Sequence, residues 1–128
     1  MSDEVRILSV KEILEAPDIE ERVLFVPQWK GSVRLRSFTQ AQMQGMRSKA
    51  TRPVRAPRPG QPSVEVDNDF LQMLLVVGGV VEPEFGEGDI LALKQKNTAA
   101  VELISRVLLE MSGLGQAAVE AAEARFPG

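Results

Sequence analysis

The sequence predicts an α+β fold: a mostly α-helical single domain with one β-hairpin near the N-terminus and a disordered basic loop. Three observations predict it. A helix-start pattern of apolar residue, cap, then a second apolar residue five positions after the first occurs four times. Two short β-prone runs flank a glycine-containing connection, and a Pro/Arg-rich stretch separates them from a second helical half. At 128 residues the chain has room for one core.

The first helix start is Leu8-Ser9-Val10-Lys11-Glu12-Ile13, with a Ser cap, a reciprocal Glu and a Leu8–Ile13 staple. The second is Phe38-Thr39-Gln40-Ala41-Gln42-Met43. Val66-Asp67 with Leu71, and Phe85-Gly86 with Asp89 and Ile90, are weaker forms. They place helices near 9–16, 39–49, 67–77 and 87–95. A fifth covers about 98–112, where Val101, Ile104, Val107, Leu108 and Met111 make one broad apolar face. Gly113 ends it, and an Ala-rich segment from Gln116 to Arg125 has helix propensity but few large apolar residues.

Between the first two helices, Val23-Leu24-Phe25-Val26 is β-prone up to Pro27. In Val33-Arg34-Leu35-Arg36 the alternation turns Val33 and Leu35 inward. Gln28-Trp29-Lys30-Gly31 connects them, with Gly31 available for a positive φ. A lone hairpin is marginal, so this one must lie on helices or join another chain's sheet. Residues 47–63 carry four prolines, five bases and only Val54 as a large apolar residue, too little burial to offset ordering entropy. The expected organisation is helix, hairpin and helix over 9–46, a flexible loop over 47–66, a helical core over 67–114 and a helical tail over 115–128.

Composition narrows function by what is missing. With no Cys and no His, the chain has no thiol nucleophile, no imidazole base and no zinc site of the usual ligand type. Aromatic residues make up 5 %, which argues against a large aromatic-lined pocket. The expectation is a non-enzyme with no cofactor and no metal. Met1-Ser2-Asp3-Glu4 is acidic where a secretory signal would be basic, and the longest apolar run, Leu74 to Val81, is far too short to span a bilayer. A soluble, cytosolic protein with no membrane partner is expected.

The net charge of −3 hides a partition. Residues 1–22 hold seven acids and three bases, and 23–64 hold eight bases and no acid. Residues 65–128 hold eleven acids and four bases. Such asymmetry marks either a contact surface or intramolecular neutralisation. Gly113-Leu114-Gly115-Gln116-Ala117-Ala118 matches the loose dinucleotide fingerprint, but a helix precedes it where a strand is needed. Glu82, Glu84, Glu87 and Asp89 lack the EF-hand spacing and read as a solvated acidic turn. Nucleic acid is disfavoured as a partner of the basic loop, because the chain is acidic overall and no aromatics interleave the bases. Trp29 either packs on the domain's own helices or anchors a partner.

The order of segments resembles a known family. Ile13-Leu14-Glu15-Ala16 leads to Val23-Leu24-Phe25-Val26-Pro27-Gln28-Trp29-Lys30-Gly31, then Val33-Arg34-Leu35-Arg36-Ser37-Phe38-Thr39. An apolar helix at 70–81, an acidic turn, Phe85, Asp89, Leu93, a helix from Thr98 and Ser112-Gly113-Leu114 follow. Over residues 12–114 the chain resembles the tail assembly chaperones of long-tailed bacteriophages (siphoviruses). It departs from them in its longer, more basic loop and in Glu82-Pro83-Glu84, which replaces an acidic-glycine turn.

The resemblance implies a chaperone that coats the tape measure protein, keeps it soluble, helps recruit major tail protein, and leaves before the virion matures. That places it in the cytoplasm of the bacterial host, with self-association also open. The candidate partner-binding residues are Trp29, Arg34, Arg36, Arg52, Arg55, Arg58, Leu71, Leu74 and Leu75, with the 98–112 helix contributing to an apolar groove. The rival reading is a small cytosolic adaptor that docks an acidic partner on its basic loop.

Overall fold

The computed structural model describes residues 5–114. Helix α1 (Val10–Glu15) starts at a full capping box: Ser9 Oγ accepts from the Glu12 N–H at 3.2 Å, and the Glu12 carboxylate accepts from the Ser9 N–H at 3.1 Å. The Ser9 N–H, then the Ser9 hydroxyl and the Arg6 guanidinium, hold the Glu12 carboxyl below its ordinary range. No residue of α1 is buried.

Strands β1 (Glu21–Val26) and β2 (Gly31–Arg36) form the expected hairpin, in register from Glu21↔Arg36 to Val26↔Gly31. A 3₁₀ turn, Pro27–Trp29, joins them, and the positive φ falls on Lys30 (54°) rather than on Gly31. Lys30 caps that turn, its N–H donating to the Pro27 carbonyl, so the left-handed residue follows the 3₁₀ turn directly.

Helix α2 (Gln40–Ala50) opens on the Thr39/Gln42 capping box. The segment expected to be a disordered loop then departs from that reading. Its first residues complete α2, and β3 (Thr51–Pro53) pairs antiparallel with β4 (Val64–Val66). The Val54 N–H donates to the Ser63 carbonyl at 2.8 Å, and the Asp67 N–H to the Ala50 carbonyl at 2.8 Å. Arg58-Pro59-Gly60-Gln61 supplies a turn closed by a 3.0 Å bond from the Gln61 N–H, with Gly60 at φ 84° after proline. Every residue of β3 and β4 is exposed, so backbone hydrogen bonds rather than burial define this ladder.

Helix α3 (Asn68–Gly79) is capped by Asp67, whose carboxylate accepts from the Phe70 N–H at 3.1 Å. The helix, expected over 67–77 from its start pattern and over 70–81 from the resemblance, ends at Gly79, and the chain turns into β5 (Val80–Glu82), which pairs with β2. Two glycines followed by two β-branched residues explain the switch. The main sheet is thus three-stranded and antiparallel, in the order β1-β2-β5. A 3₁₀ turn (Glu87–Asp89) and a short α4 (Ile90–Leu93) replace the helix expected over 87–95.

Helix α5 (Thr98–Met111) buries Val101, Ile104, Val107 and Leu108 against α3 on one side and the inner face of β1 and β2 on the other. It ends in a Schellman motif: the Leu114 N–H reaches the Leu109 carbonyl at 2.8 Å, the Gly113 N–H the Glu110 carbonyl at 3.0 Å, with Gly113 at φ 73°. Ser112 Oγ accepts from the Phe38 N–H at 3.0 Å, which ties the end of α5 to the start of α2. The expected tail helix lies outside the described residues, as does most of the fingerprint-like segment that Gly113 begins.

Candidate protein-binding surface

Where α2 and α3 cross, Gly45 faces open space, and a Cβ on Gly78 would meet the Met46 sulfur and the Phe38 ring only at 3.6 and 3.8 Å. The missing side chains leave a groove of about 210 Å³. Its floor is Phe38 and Leu74, its walls Met46 and Val77, and its rim Gln42 with the ion-paired Lys49 and Glu87. No ionisable group enters the floor. The groove can therefore take an apolar side chain between methionine and aromatic surfaces that adapt to it.

The residues named from sequence scatter around the molecule. Trp29 is half-buried, packed against the core on the 3₁₀ turn beside α5. Arg34 and Arg36 stand on the solvent face of the sheet, paired with Glu82 at 3.2 Å and with Glu21 at 2.7 Å. Arg52 is held by Glu65 at 3.2 Å and Asp67 at 3.4 Å. Much of the basic block is thus neutralised within the chain, by surface pairs each worth about 0–1 kcal/mol. Arg55 and Arg58 are exposed beyond β3 and make no ion pair among the described residues.

Leu74 and Leu75, candidate groove residues by sequence, are core residues, 4 % and 5 % exposed, because α3 turns them toward the centre of the fold. Leu74 shows only as the groove floor. Leu75 and the half-buried Leu71 line a shallower depression of about 350 Å³ with Leu109. The face of α5 expected to line a groove is likewise spent on the core.

No family model, curated protein or solved structure matches this chain. Among the described residues no group of acidic side chains is placed to hold a metal ion, and no helix is long and apolar enough to cross a membrane. The acids of the 82–89 turn are spread over separate tasks: Glu82 pairs with Arg34, Glu87 with Lys49, and Asp89 accepts from the Gly86 N–H at 2.8 Å.

Sequence reasoning missed Gly45, Met46, Val77 and Gly78 as site residues. One signal was available: glycine inside a helix costs about 0.5–1 kcal/mol relative to alanine, so Gly45 needs a reason to be there. It also missed the apolar surface of the N-terminal arm, where Val5, Ile7, Val10 and Leu14 are 73–88 % exposed.

Proposed function

We propose that this chain is a protein-binding assembly chaperone that takes apolar side chains of an elongated helical partner into the α2–α3 groove. In the phage setting implied by the sequence resemblance, that partner is the tape measure protein, with major tail protein recruited later. The observation that carries the reading is the groove itself, an apolar floor between α2 and α3, lined by Gly45 and Gly78 and topped by a polar rim. Magnitudes favour coating over tight capture. One buried side chain contributes about 1.5–3 kcal/mol, whereas micromolar affinity needs about 8 kcal/mol. A single copy therefore binds and leaves readily, and many copies along one extended partner hold it collectively.

Arg55 and Arg58, exposed and without an ion pair among the described residues, favour a second reading in which the hairpin tip docks an acidic partner. Salt separates the two, since contacts between exposed charges are screened and apolar contacts are not. Co-expression tests the main reading. With the tape measure protein of its own genome, the chain should keep that protein soluble and co-purify in several copies through moderate salt. A tape measure protein that stays insoluble in its presence contradicts the proposal.

A further inference from the structure

Among the described residues the main sheet has an unpaired edge. Strand β1 lies at one end of the order β1-β2-β5 and, among the described residues, nothing pairs with its outer side. Edge strands are usually blunted by an internal proline, a bulge or an inward charge near their middle. Here the central stretch Val23-Leu24-Phe25-Val26 has none of these; Arg22, on the same parity as Leu24 and Val26, lies near the strand's start and is held by Glu20 at 2.8 Å, and Pro27 comes only after the strand ends.

The hydrogen-bond phase of that edge follows from its neighbour. Ser37, next in register after Arg36, donates its N–H to the Glu20 carbonyl at 2.8 Å. Antiparallel ladders alternate, so Arg22, Leu24 and Val26 turn their amides toward β2, and Glu21, Val23 and Phe25 turn theirs to the free side. Val23 and Phe25 also present 56 % and 58 % of their surface on the sheet face away from α5. Two features that usually conflict, open backbone groups and exposed apolar side chains, coincide on the same two residues.

We propose that two copies join β1 to β1 antiparallel about a two-fold axis through Leu24, making a continuous six-stranded sheet. In this register Val23 of each copy exchanges backbone hydrogen bonds with Phe25 of the other. Their side chains form one four-residue apolar cluster on the outer face, and the two half-buried Leu24 side chains meet on the inner face. Charge favours the antiparallel sense. Glu20 and Glu21 are held by Arg22 and Arg36, but the antiparallel sense carries Asp18 of each copy toward Lys30 of the other, and neither residue makes an ion pair among the described residues. Parallel pairing would set Glu21 beside Glu21. The seam is short against the roughly 1,600 Å² of a standard stable interface, so the dimer is weak and concentration-dependent. This inference is independent of the α2–α3 groove and of the partner it takes.

Sedimentation equilibrium of the full chain tests it, with helical circular dichroism confirming that each variant is folded. The parent chain should show a reversible monomer–dimer equilibrium between about 10 µM and about 1 mM. V23K/F25K places Lys against Lys twice across the seam and should be monomeric throughout. V23K/F25E places Lys against Glu twice and should restore a dimer that salt weakens. A parent chain that stays monomeric overturns the proposal, as does any self-association that V23K/F25K leaves unchanged. A monomeric V23K/F25E contradicts the register and overturns it equally.

Discussion

Two helical glycines, Gly79 of α3 and Gly45 of α2, do opposite work. A Cβ on Gly79 would lie 2.5 Å from both methyl carbons of Leu108, a fully buried side chain with no room to retreat, so α3 and α5 touch there only because the side chain is missing. Gly45 has nothing within 4 Å of its absent Cβ. Gly79→Ala should therefore destabilise the fold by about 1–3 kcal/mol through overpacking. Gly45→Ala should stabilise it by about 0.5–1 kcal/mol through helix propensity. Urea unfolding of the two variants should shift the midpoint in opposite directions. Equal shifts would mean that the α3–α5 contact is looser than described. Residue chemistry of the local kind was legible in advance: Ser9 with Glu12 and Thr39 with Gln42 cap as their spacing predicts, since a capping box involves only neighbours in sequence. The close approach at Gly79 was not, because it depends on a helix far along the chain.

The elements divide in the same way. The β1–β2 hairpin and α5 were legible from alternation and three- and four-residue spacing, and Gly113 stops α5 as expected. Strand β5 was not, because Leu74 to Val81 is a continuous apolar run, and such a run reads equally well as buried helix or strand. The β3–β4 ladder was hidden by the proline and charge content around it, which outweighed the alternation of Val64-Glu65-Val66 and the turn chemistry of Pro59-Gly60. Its stability rests on exposed backbone bonds and the Arg52 ion pairs, so protection should be graded within it. Brief trypsin treatment should cut after Arg55, in the connection between the strands, before it cuts after Arg106 in α5. Arg52 and Arg58 precede prolines and resist the enzyme for that reason. First cleavage at Arg106 would contradict the order of stability described here.

At the scale of the molecule, one core serves several surfaces: α5 lies between the sheet and α3, α2 covers α3, and among the described residues nothing packs over the outer sheet face or the N-terminal arm. The candidate site was the least legible part of the chain. A groove lined by Gly45 and Gly78 exists only once two helices cross, and half of the eight bases that drew notice in the sequence, Arg34, Arg36, Lys49 and Arg52, spend their charge on Glu21, Glu65, Asp67, Glu82 and Glu87. The central claim is that this groove receives apolar helical side chains of a partner. Titrating the labelled chain with an apolar helical peptide from the tape measure protein, and following backbone amide shifts, tests it most directly. The account predicts the largest shifts at Gly45, Met46, Val77 and Gly78, with little change at Arg55 and Arg58. Shifts confined to the hairpin tip, or none at saturating peptide, would contradict it.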